Sequence, residues 1–334
     1  MSLVSDLWRM LTPPADLPDF ALRAVLEAGW SLTATALIYL PVGFGSHHWE
    51  VTDPTGERRF VTIDDLRTRR LSSAEPLAAS FQRLRASLSA AQALKTVDSN
   101  VLVAPLPNSE GEPVTRFADF FAVAVYPLVE GETFEWGTYT DQHRRAVLDL
   151  VIVVHSAPTK VRDRALRDDY VIPFRDTVTA LLEGSLSVDT GLGPYTQPAV
   201  ELLTSHSAQV RQAFAHYDDL VTEVGAEPGL VLTHGEPHPG NTMRTEDGWL
   251  LIDWDTALAA PPERDLWDLD PGDGTLHAAY TAATGVVPRP NLLELYRRRW
   301  DLTEIAVCLA RFCEPHAETA DDAETWTILK EILT

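Results

Sequence analysis

Lysine is scarce in this sequence, whose 334 residues contain only Lys95, Lys160 and Lys330. Basic residues of both kinds number 27 against 49 acidic ones, which gives a formal net charge of −22. Such a chain would repel a phosphate backbone, so we expect no nucleic-acid partner. The same charge would attract a small cationic molecule, although it is equally compatible with a role in solubility alone.

Cysteine and long apolar runs are also rare. Cys308 and Cys313 lie five residues apart in a helical pattern, which favours neither a disulfide nor a zinc site. No apolar run has membrane-spanning length, and the N-terminus lacks a signal-peptide pattern. We therefore expect a cytoplasmic protein with no membrane partner. Hydrophobic residues make up 45% of the chain, enough for a sizeable core.

The hydrophobic patterns divide the chain into a strand-rich first part and a helical second part. In the first part we predict helices at 16–30 and 75–95 and strands at 35–43, 47–53, 58–66, 100–107 and 119–129. In the second part we predict helices at 138–156, 170–184, 196–223, 275–283, 289–313 and 321–333. The sequence thus predicts an α+β fold with a small antiparallel five-stranded β lobe, residues 1–127, and a larger mainly helical lobe, residues 128–334.

The densest polar stretch is THGEPHPGN at 233–241, which follows one apolar run, and a second apolar run, WLLIDWD, delivers Asp253. A hairpin between these runs is predicted to bring Asn241 and Asp253 together. An amide oxygen and a carboxylate suit Mg²⁺, which takes oxygen ligands and retains waters and phosphate oxygens. Glu236 would lie within reach of a bound hydroxyl group and accept its proton. These residues suit phosphoryl transfer.

HGEPHPGN followed by LIDWD resembles the catalytic and metal motifs of the aminoglycoside phosphotransferase family. The family pattern is His-Gly-Asp, four variable residues and Asn, then an Asp after an apolar strand. The resemblance implies a two-lobed protein-kinase-like fold. It implies Glu236 as the catalytic base, His234 as a catalytic-loop residue that shapes the loop, and Asn241 and Asp253 as metal ligands.

The resemblance also implies a nucleotide site, with Mg²⁺ and ATP, or GTP, as cofactors. PVGFGSHHWEV resembles the glycine-containing loop between the first two strands, where Gly43 and Gly45 allow close approach to phosphates and Ser46 donates a hydrogen bond. AVAVYPLVEG resembles the hinge, where backbone groups from Tyr126 to Leu128 would contact the adenine edge. An ordinary turn and an ordinary buried strand end remain alternatives for these two segments.

The third strand departs from the family pattern. A lysine normally binds the phosphates there and pairs with a glutamate on the next helix. Depending on register, its position is Thr62 or Asp64 here, and the following helix has no acid after Glu75. The phosphate contact must therefore be altered, and the candidate substitutes are backbone amides, the metal ion and three arginines, namely Arg58, Arg59 and Arg67.

The base position is the second departure, because Glu236 replaces the family's aspartate. The acid chemistry is the same, but the side chain is one methylene longer, and in-line transfer is sensitive to small displacements. The neighbouring PHPG segment could displace the loop backbone away from the acceptor and so compensate for the longer side chain of Glu236.

The segment after Asp253 is implied to line the acceptor pocket. Residues 261–273 contain five acids and one arginine, although a helix dipole alone would also favour acids at this helix start. In the family, acidic and aromatic side chains of this region bind amino sugars. The candidates are Asp255, Glu263, Trp267 and Asp268.

These features predict an O-phosphotransferase that moves the γ-phosphate of ATP or GTP to a hydroxyl of an aminoglycoside-like antibiotic and so confers resistance. The acceptor is expected to be small, hydroxylated and cationic. A kinase of an ordinary metabolite, such as an amino alcohol or a sugar, is one alternative. A degenerate nucleotide-binding pseudokinase is the other, although the retained Asn241 and Asp253 argue against it.

Overall fold

The first part of the chain forms a five-stranded sheet with one helix on each side. The structure, a computed structural model, describes residues 12–42, 45–98, 100–134, 139–225 and 229–334. The elements of the first part are α1 (Asp19–Trp30), β1 (Ala36–Leu40), β2 (Ser46–Thr52), β3 (Arg58–Asp65), α2 (Leu77–Lys95), β4 (Thr115–Phe117) and β5 (Phe121–Pro127). The strands are antiparallel in the order β1-β2-β3-β5-β4.

The second part is mainly helical, with two small sheets. Its helices are α3 (Asp141–His155), α4 (Thr159–Arg162), α5 (Arg175–Glu183), α6 (Thr196–Ser205), α7 (Ser207–Glu223), α8 (Glu263–Leu266), α9 (Thr275–Thr284), α10 (Pro290–Phe312) and α11 (Ala320–Leu333). Its strands are β6 (Glu132–Thr133), β7 (Val231–Thr233), β8 (Thr242–Thr245), β9 (Gly248–Leu251) and β10 (Leu258–Ala260). The predicted α+β fold, a five-stranded antiparallel sheet followed by a mainly helical part, is confirmed. Among the helices that the structure describes, none combines the length and apolarity needed to cross a membrane.

The fourth strand is not where the sequence predicted it. Residues 100–107 make only an isolated bridge between Leu102 and Leu251, and β4 supplies the fifth strand of the sheet instead. Val101 to Ala104 are all buried between the sheet and the second part. The apolar run therefore reflects burial on several sides, which sequence periodicity cannot distinguish from strand pairing.

Two further predictions in the second part are wrong. The helix predicted over 196–223 is two helices, because His206 leaves the helical conformation with φ −108° and ψ 14°. The run before the polar loop does not pair with the run that leads to Asp253. β7 pairs with β10 instead, and the hairpin is formed by β8 and β9.

The five-stranded sheet has one apolar face and one face toward the second part. Side chains alternate along a strand, so Val61 and Ile63 pack with α1 on the first face. Tyr126 and the alanines of β5 pack on the second face, against Leu251 and Trp254. The register places Thr62 opposite Ala124, on that second face, and Asp64 follows two residues later. Both candidate positions for the missing lysine therefore face the cleft between the two parts.

The core of the second part surrounds α10, and a buried ion pair ties the segment before α5 to that helix. Arg299 Nη1 lies 2.7 Å from both carboxylate oxygens of Asp168. The Tyr296 hydroxyl and the Tyr170 backbone N–H also donate to this carboxylate, at 3.1 and 3.0 Å. Burial alone would raise the pKa of Asp168, but Arg299 holds it below its usual range.

We predict that Asp168→Ala lowers the free energy of unfolding by about 3–5 kcal/mol, because it leaves the Arg299 charge without its buried partner. The matched control is Asp218→Ala, which removes an ion pair of similar length, 2.6 Å to Arg175, in which both side chains are more than one-third exposed. This control should cost about 0–1 kcal/mol. Urea unfolding followed by circular dichroism measures both, and equal losses would contradict the prediction.

Candidate active site

A buried carboxylate fixes the backbone of the polar loop. Asp265, on α8, accepts hydrogen bonds from the backbone N–H groups of His234 at 2.8 Å and Gly235 at 2.6 Å. His155 Nε2 lies 3.0 Å from the same carboxylate, and its Nδ1 lies 2.8 Å from the Tyr280 hydroxyl. Burial alone would raise the pKa of Asp265, but the hydrogen bond with His155 keeps it below its usual value. The loop is therefore anchored by an ionised group in the interior.

Gly235 is required where the loop turns. Its φ is +105°, and a Cβ there would meet the Arg264 guanidinium within 2.6 Å. Arg264 is itself held, because it donates to Thr233 Oγ1 at 2.9 Å and to the Thr256 carbonyl at 2.8 Å. A side chain at this position would have to displace a fixed cation as well as adopt an unfavourable backbone conformation.

His234 supports the loop from inside. Its Nε2 lies 2.8 Å from the Ile252 carbonyl, and its Nδ1 lies 3.3 Å from the backbone N–H of Glu236. These partners define a neutral ring that donates from Nε2 and accepts at Nδ1, and burial lowers its pKa in agreement. His234 thus fixes the backbone direction at Glu236, whose side chain is about one-third exposed, and His238 Nε2 lies 3.8 Å from that carboxylate.

Asn241 and Asp253 lie together although the strands pair differently from the predicted hairpin. The Ile252 N–H donates to the Asn241 carbonyl at 2.9 Å, directly before Asp253. Asn241 Nδ2 donates to the Glu236 carbonyl at 3.1 Å, so the amide oxygen is the atom that this side chain can offer to a metal ion. Asp253 has a φ of +61°, a conformation that aspartate tolerates better than most residues.

The residues around Asp253 fit a divalent cation. Burial and the neighbouring carboxylates of Asp255 and Glu236 raise the pKa of Asp253 well above its usual value. Because Asp253 is also open to the cleft, we attribute most of this effect to the carboxylates. A cation would relieve their repulsion. In the ranges that the structure describes, no three His, Cys, Asp or Glu side chains form a metal site by themselves, which suits Mg²⁺, an ion that retains water and phosphate oxygens.

An arginine that sequence reasoning missed crosses the cleft beside this site. Arg69 Nη2 lies 2.5 Å from Asp64 Oδ1, 2.5 Å from Asp255 Oδ2 and 3.0 Å from Ser46 Oγ. The Ser46 hydroxyl donates to Asp64 at 2.7 Å. Burial alone would raise the pKa of Asp255, but Arg69 holds it below its usual range. Asp255, which we had assigned to the acceptor, is therefore engaged by Arg69. The only signal in the sequence is the arginine-rich RTRR segment directly after β3.

The three arginines considered as substitutes for the lysine are occupied elsewhere. Arg58 pairs with Glu50 at 2.6 Å, Arg59 with Glu57 at 2.5 Å and Arg67 with Asp65 at 2.6 Å. These partners belong to β2, β3 and the turn between them, and none is one of the cleft carboxylates.

The remaining residues predicted for the nucleotide are distributed along the cleft edge of the sheet. Gly43 lies outside the described residues. Gly45 has a φ of +81° with open space around its Cα, directly before β2. Tyr126 is buried, and its pKa is raised by burial and by nearby Asp64, while a hydrogen bond with Thr62 partly opposes this rise. Leu128 is half-buried directly after β5.

The residues predicted for the acceptor separate into different environments. Glu263 is fully buried and accepts from Arg289 N and Nε at 2.8 and 3.0 Å, so it faces the interior. Trp267 is half-buried, with its ring 6.0 Å from that of Trp300. Asp268 is exposed, and its pKa is raised by partial burial and opposed by Arg144 and by His238 of the loop.

Glu304 of α10 is an acidic group near the loop that sequence reasoning missed. Burial, together with Glu236 and Asp301, raises the pKa of Glu304 to about 7. The sequence shows Glu304 only as one polar residue of a long amphipathic helix, so no local signal marked it. Its carboxyl group is nevertheless close enough to Glu236 to interact with it electrostatically.

A kinase-like fold with a glutamate, an asparagine and an aspartate in its cleft is the arrangement of a phosphotransferase. The phosphotransferase enzyme family APH matches residues 38–308 of this chain. Protein StrN of Streptomyces griseus is 31% identical over 243 residues, which cover 70% of this chain and 71% of StrN. The chain belongs to the APH family of phosphotransferases, so the resemblance seen in the sequence is confirmed.

Two solved structures share the fold. One is spectinomycin phosphotransferase APH(9)-Ia in complex with ADP and spectinomycin, with a TM-score of 0.67 and 16% identity over 95% of this chain and 94% of the other. The other is a microcompartment-associated aminopropanol kinase, with a TM-score of 0.59 and 15% identity over 95% of each chain.

We predict that Asp265→Ala detaches the catalytic loop from the core. Two backbone N–H groups and His155 would lose a buried acceptor, so stability should fall by about 3–5 kcal/mol and turnover should be lost. Hydrogen exchange should accelerate at His234 and Gly235. The control is Asp273→Ala, which removes an exposed carboxylate that binds only Thr275 near α9. Unchanged exchange at the loop in Asp265→Ala would refute the anchoring role.

Proposed function

We propose that this enzyme transfers the γ-phosphate of ATP or GTP, with Mg²⁺, to a hydroxyl of a small cationic acceptor of the aminoglycoside type, and that the modification confers antibiotic resistance. One observation carries this proposal. The loop that carries Glu236 is closed by the Asn241 side chain, which donates to the Glu236 carbonyl at 3.1 Å, and the Asn241 carbonyl accepts from the Ile252 N–H directly before Asp253. The residue assigned as the base and the two residues assigned to the metal ion are therefore held together in one loop.

The chemistry assigned to this arrangement is in-line phosphoryl transfer. Glu236 orients the acceptor hydroxyl and takes its proton as the oxygen attacks the γ-phosphorus, while the bond from this phosphorus to the bridging oxygen of the β-phosphate breaks and the nucleoside diphosphate leaves. Asn241 and Asp253 would hold Mg²⁺, which supplies charge neutralisation on the phosphates when bound. Asp265 and His234 keep the base in place, and this matters because an error of about 1 Å is costly in a positioned reaction.

The acidic surroundings of the base favour a cationic acceptor. Glu304 and Asp301 lie on α10, and Asp268 lies near His238, two residues after Glu236 in the loop. Trp300 on α10 and Trp267, directly after α8, offer aromatic surface. An ammonium group placed among these side chains would relieve carboxylate repulsion and gain cation–π contact.

The spectinomycin phosphotransferase with the same fold acts on an antibiotic, in agreement with an antibiotic acceptor here. The aminopropanol kinase supports a second candidate, an amino alcohol of ordinary metabolism, because an amino alcohol would satisfy the same acidic surroundings. Phosphate release or transfer should be measured with ATP and GTP against spectinomycin, streptomycin, kanamycin, aminopropanol and glucose. Transfer to an aminoglycoside or aminocyclitol supports the first proposal, transfer to aminopropanol alone supports the second, and glucose is the uncharged control.

We predict that Glu236→Gln lowers kcat on the best acceptor by roughly 10²–10⁴-fold, the usual contribution of a positioned general base. The nucleotide Kd should hardly change, because the backbone contacts of the loop do not use this carboxylate. Glu246→Gln, an exposed glutamate in the turn of the β8–β9 hairpin, should retain the parent rate. Turnover of Glu236→Gln at the parent rate would assign the base elsewhere.

We predict that the KM for a cationic acceptor falls about tenfold between about pH 6 and about pH 8. Glu304, with a pKa of about 7, is mostly neutral at the lower pH and mostly ionised at the higher one. The charged groups that face it are Glu236 and Asp301, and Cys308 lies nearby on the same helix. Glu304→Gln should make KM independent of pH over this range, whereas an unchanged pH profile in this variant would exclude Glu304 as the titrating group.

A further inference from the structure

The cleft needs a cation that no lysine supplies. Lys95 donates to the Leu102 carbonyl at 3.0 Å at the end of α2, and Lys160 and Lys330 lie on α4 and α11. On β3, the two residues that face the cleft near the expected lysine position are Thr62 and Asp64. Without a cationic side chain, the carboxylates of this cleft would repel a triphosphate, and like charges repel strongly where water is partly excluded.

Arg69 is placed where such a cation would act. Its side chain is 19% exposed, and Nη2 is held among Asp64, Asp255 and Ser46. The charge of Asp253 also acts on Arg69. Arg69 therefore lies next to the residue assigned to the metal ion, and thus on the phosphate side of the cleft.

The guanidinium of Arg69 has an unused donor. Within the part of the chain that the structure describes, Arg69 Nε is buried and has no hydrogen-bond partner. A buried donor without an acceptor is unfavourable, so this atom indicates an acceptor that the protein itself does not provide. A planar guanidinium can keep Nη2 on carboxylates while the Nε edge receives an oxygen of a phosphate group.

The backbone that carries Arg69 is also fixed in place. Arg83 on α2 donates from Nη2 to the Arg69 carbonyl at 2.8 Å and to Glu75 Oε2 at 2.6 Å. Glu75 Oε2 in turn accepts from the Leu71 N–H at 2.8 Å. The ion pair beside α2 is thus formed by Glu75 and Arg83. It holds the segment between β3 and α2, whereas the corresponding pair of the family pattern holds a lysine on β3.

We propose that Arg69 is the phosphate-binding cation of this cleft. Asp64 and Asp255 orient its guanidinium, and the Nε edge contacts the anionic oxygens of the nucleoside triphosphate. This inference rests on the proposed function, because it requires that a nucleoside triphosphate bind here. It explains why an acid, Asp64, can lie at one of the two β3 positions considered for the family's lysine: in this chain the acid holds the cation.

The test compares a triphosphate with its own nucleoside. Binding of ATP and of adenosine, and of GTP and guanosine, is measured by calorimetry in Mg²⁺ buffer without acceptor. In Arg69→Gln the Kd for the triphosphate should rise about 10- to 100-fold, the scale of a charge-assisted hydrogen bond, while the Kd for the nucleoside changes less than about threefold. The matched control is Arg67→Gln, two residues away and paired with Asp65, and both of its Kd values should be unchanged.

A second variant shows whether the loss of binding comes from misfolding around an unpaired buried charge. Asp64 is 2% exposed, so removing Arg69 alone leaves a buried charge with only the Ser46 hydroxyl. The double variant Asp64→Asn/Arg69→Gln removes both charges and should show the same selective loss of triphosphate binding. Equal losses for triphosphate and nucleoside would overturn the proposal and make Arg69 a purely structural residue. Unchanged or tighter triphosphate binding would also overturn it and make Arg69 a latch that the nucleotide must displace.

The wild-type protein distinguishes a failure of this inference from a failure of the proposed function. If wild type binds neither triphosphate more tightly than the corresponding nucleoside, the proposed function fails and the inference fails with it. If wild type binds a triphosphate selectively and Arg69→Gln does so equally well, only the assignment of Arg69 is wrong.

Discussion

The hydrogen bonds from the backbone of His234 and Gly235 to the Asp265 carboxylate determine where Glu236 can lie. These bonds set the exit direction of the loop from the core. His234 Nδ1 accepts a hydrogen bond from the Glu236 N–H and so orients the backbone of that residue. Asn241 closes the loop by donating to the Glu236 carbonyl. The loop has little regular structure of its own, so a buried ionised group takes the place of a helix or strand in holding it rigid.

The cleft contains more carboxylates than cationic side chains. Its electrostatics therefore depend on which carboxylates have a cationic partner. Asp64 and Asp255 share the Arg69 guanidinium. In the part of the chain that the structure describes, Asp253 and Glu236 form no ion pair with an arginine or lysine, although His238 Nε2 lies 3.8 Å from Glu236. Glu236 contributes to the raised pKa of both Asp253 and Glu304. The uncompensated pair is therefore the part of the cleft at which external cations, a metal ion on one side and an ammonium group on the other, would be stabilised.

The sequence was sufficient where the decisive interactions are local. Alternating and helical patterns, together with turn residues, predicted the five-stranded sheet and most helices. They failed at 100–107, where burial on several sides imitates a strand, and at β4, which is only three residues long. Arg69 could not be found in this way because its partner Asp255 is 186 residues away. Glu304 could not be predicted either, because helix packing brings it near Glu236, a residue far away in the sequence.

The contact of Arg69 with Asp64 and Asp255 joins the sheet to the segment after β9, and so connects the two halves of the molecule across the cleft. Opening the cleft must separate these opposite charges and hydrate them. Mobile ions stabilise separated charges more than paired ones, so dissolved salt lowers the work of opening. If small molecules enter the cleft by such an opening, the rate of their entry and exit would depend on ionic strength through this ion pair.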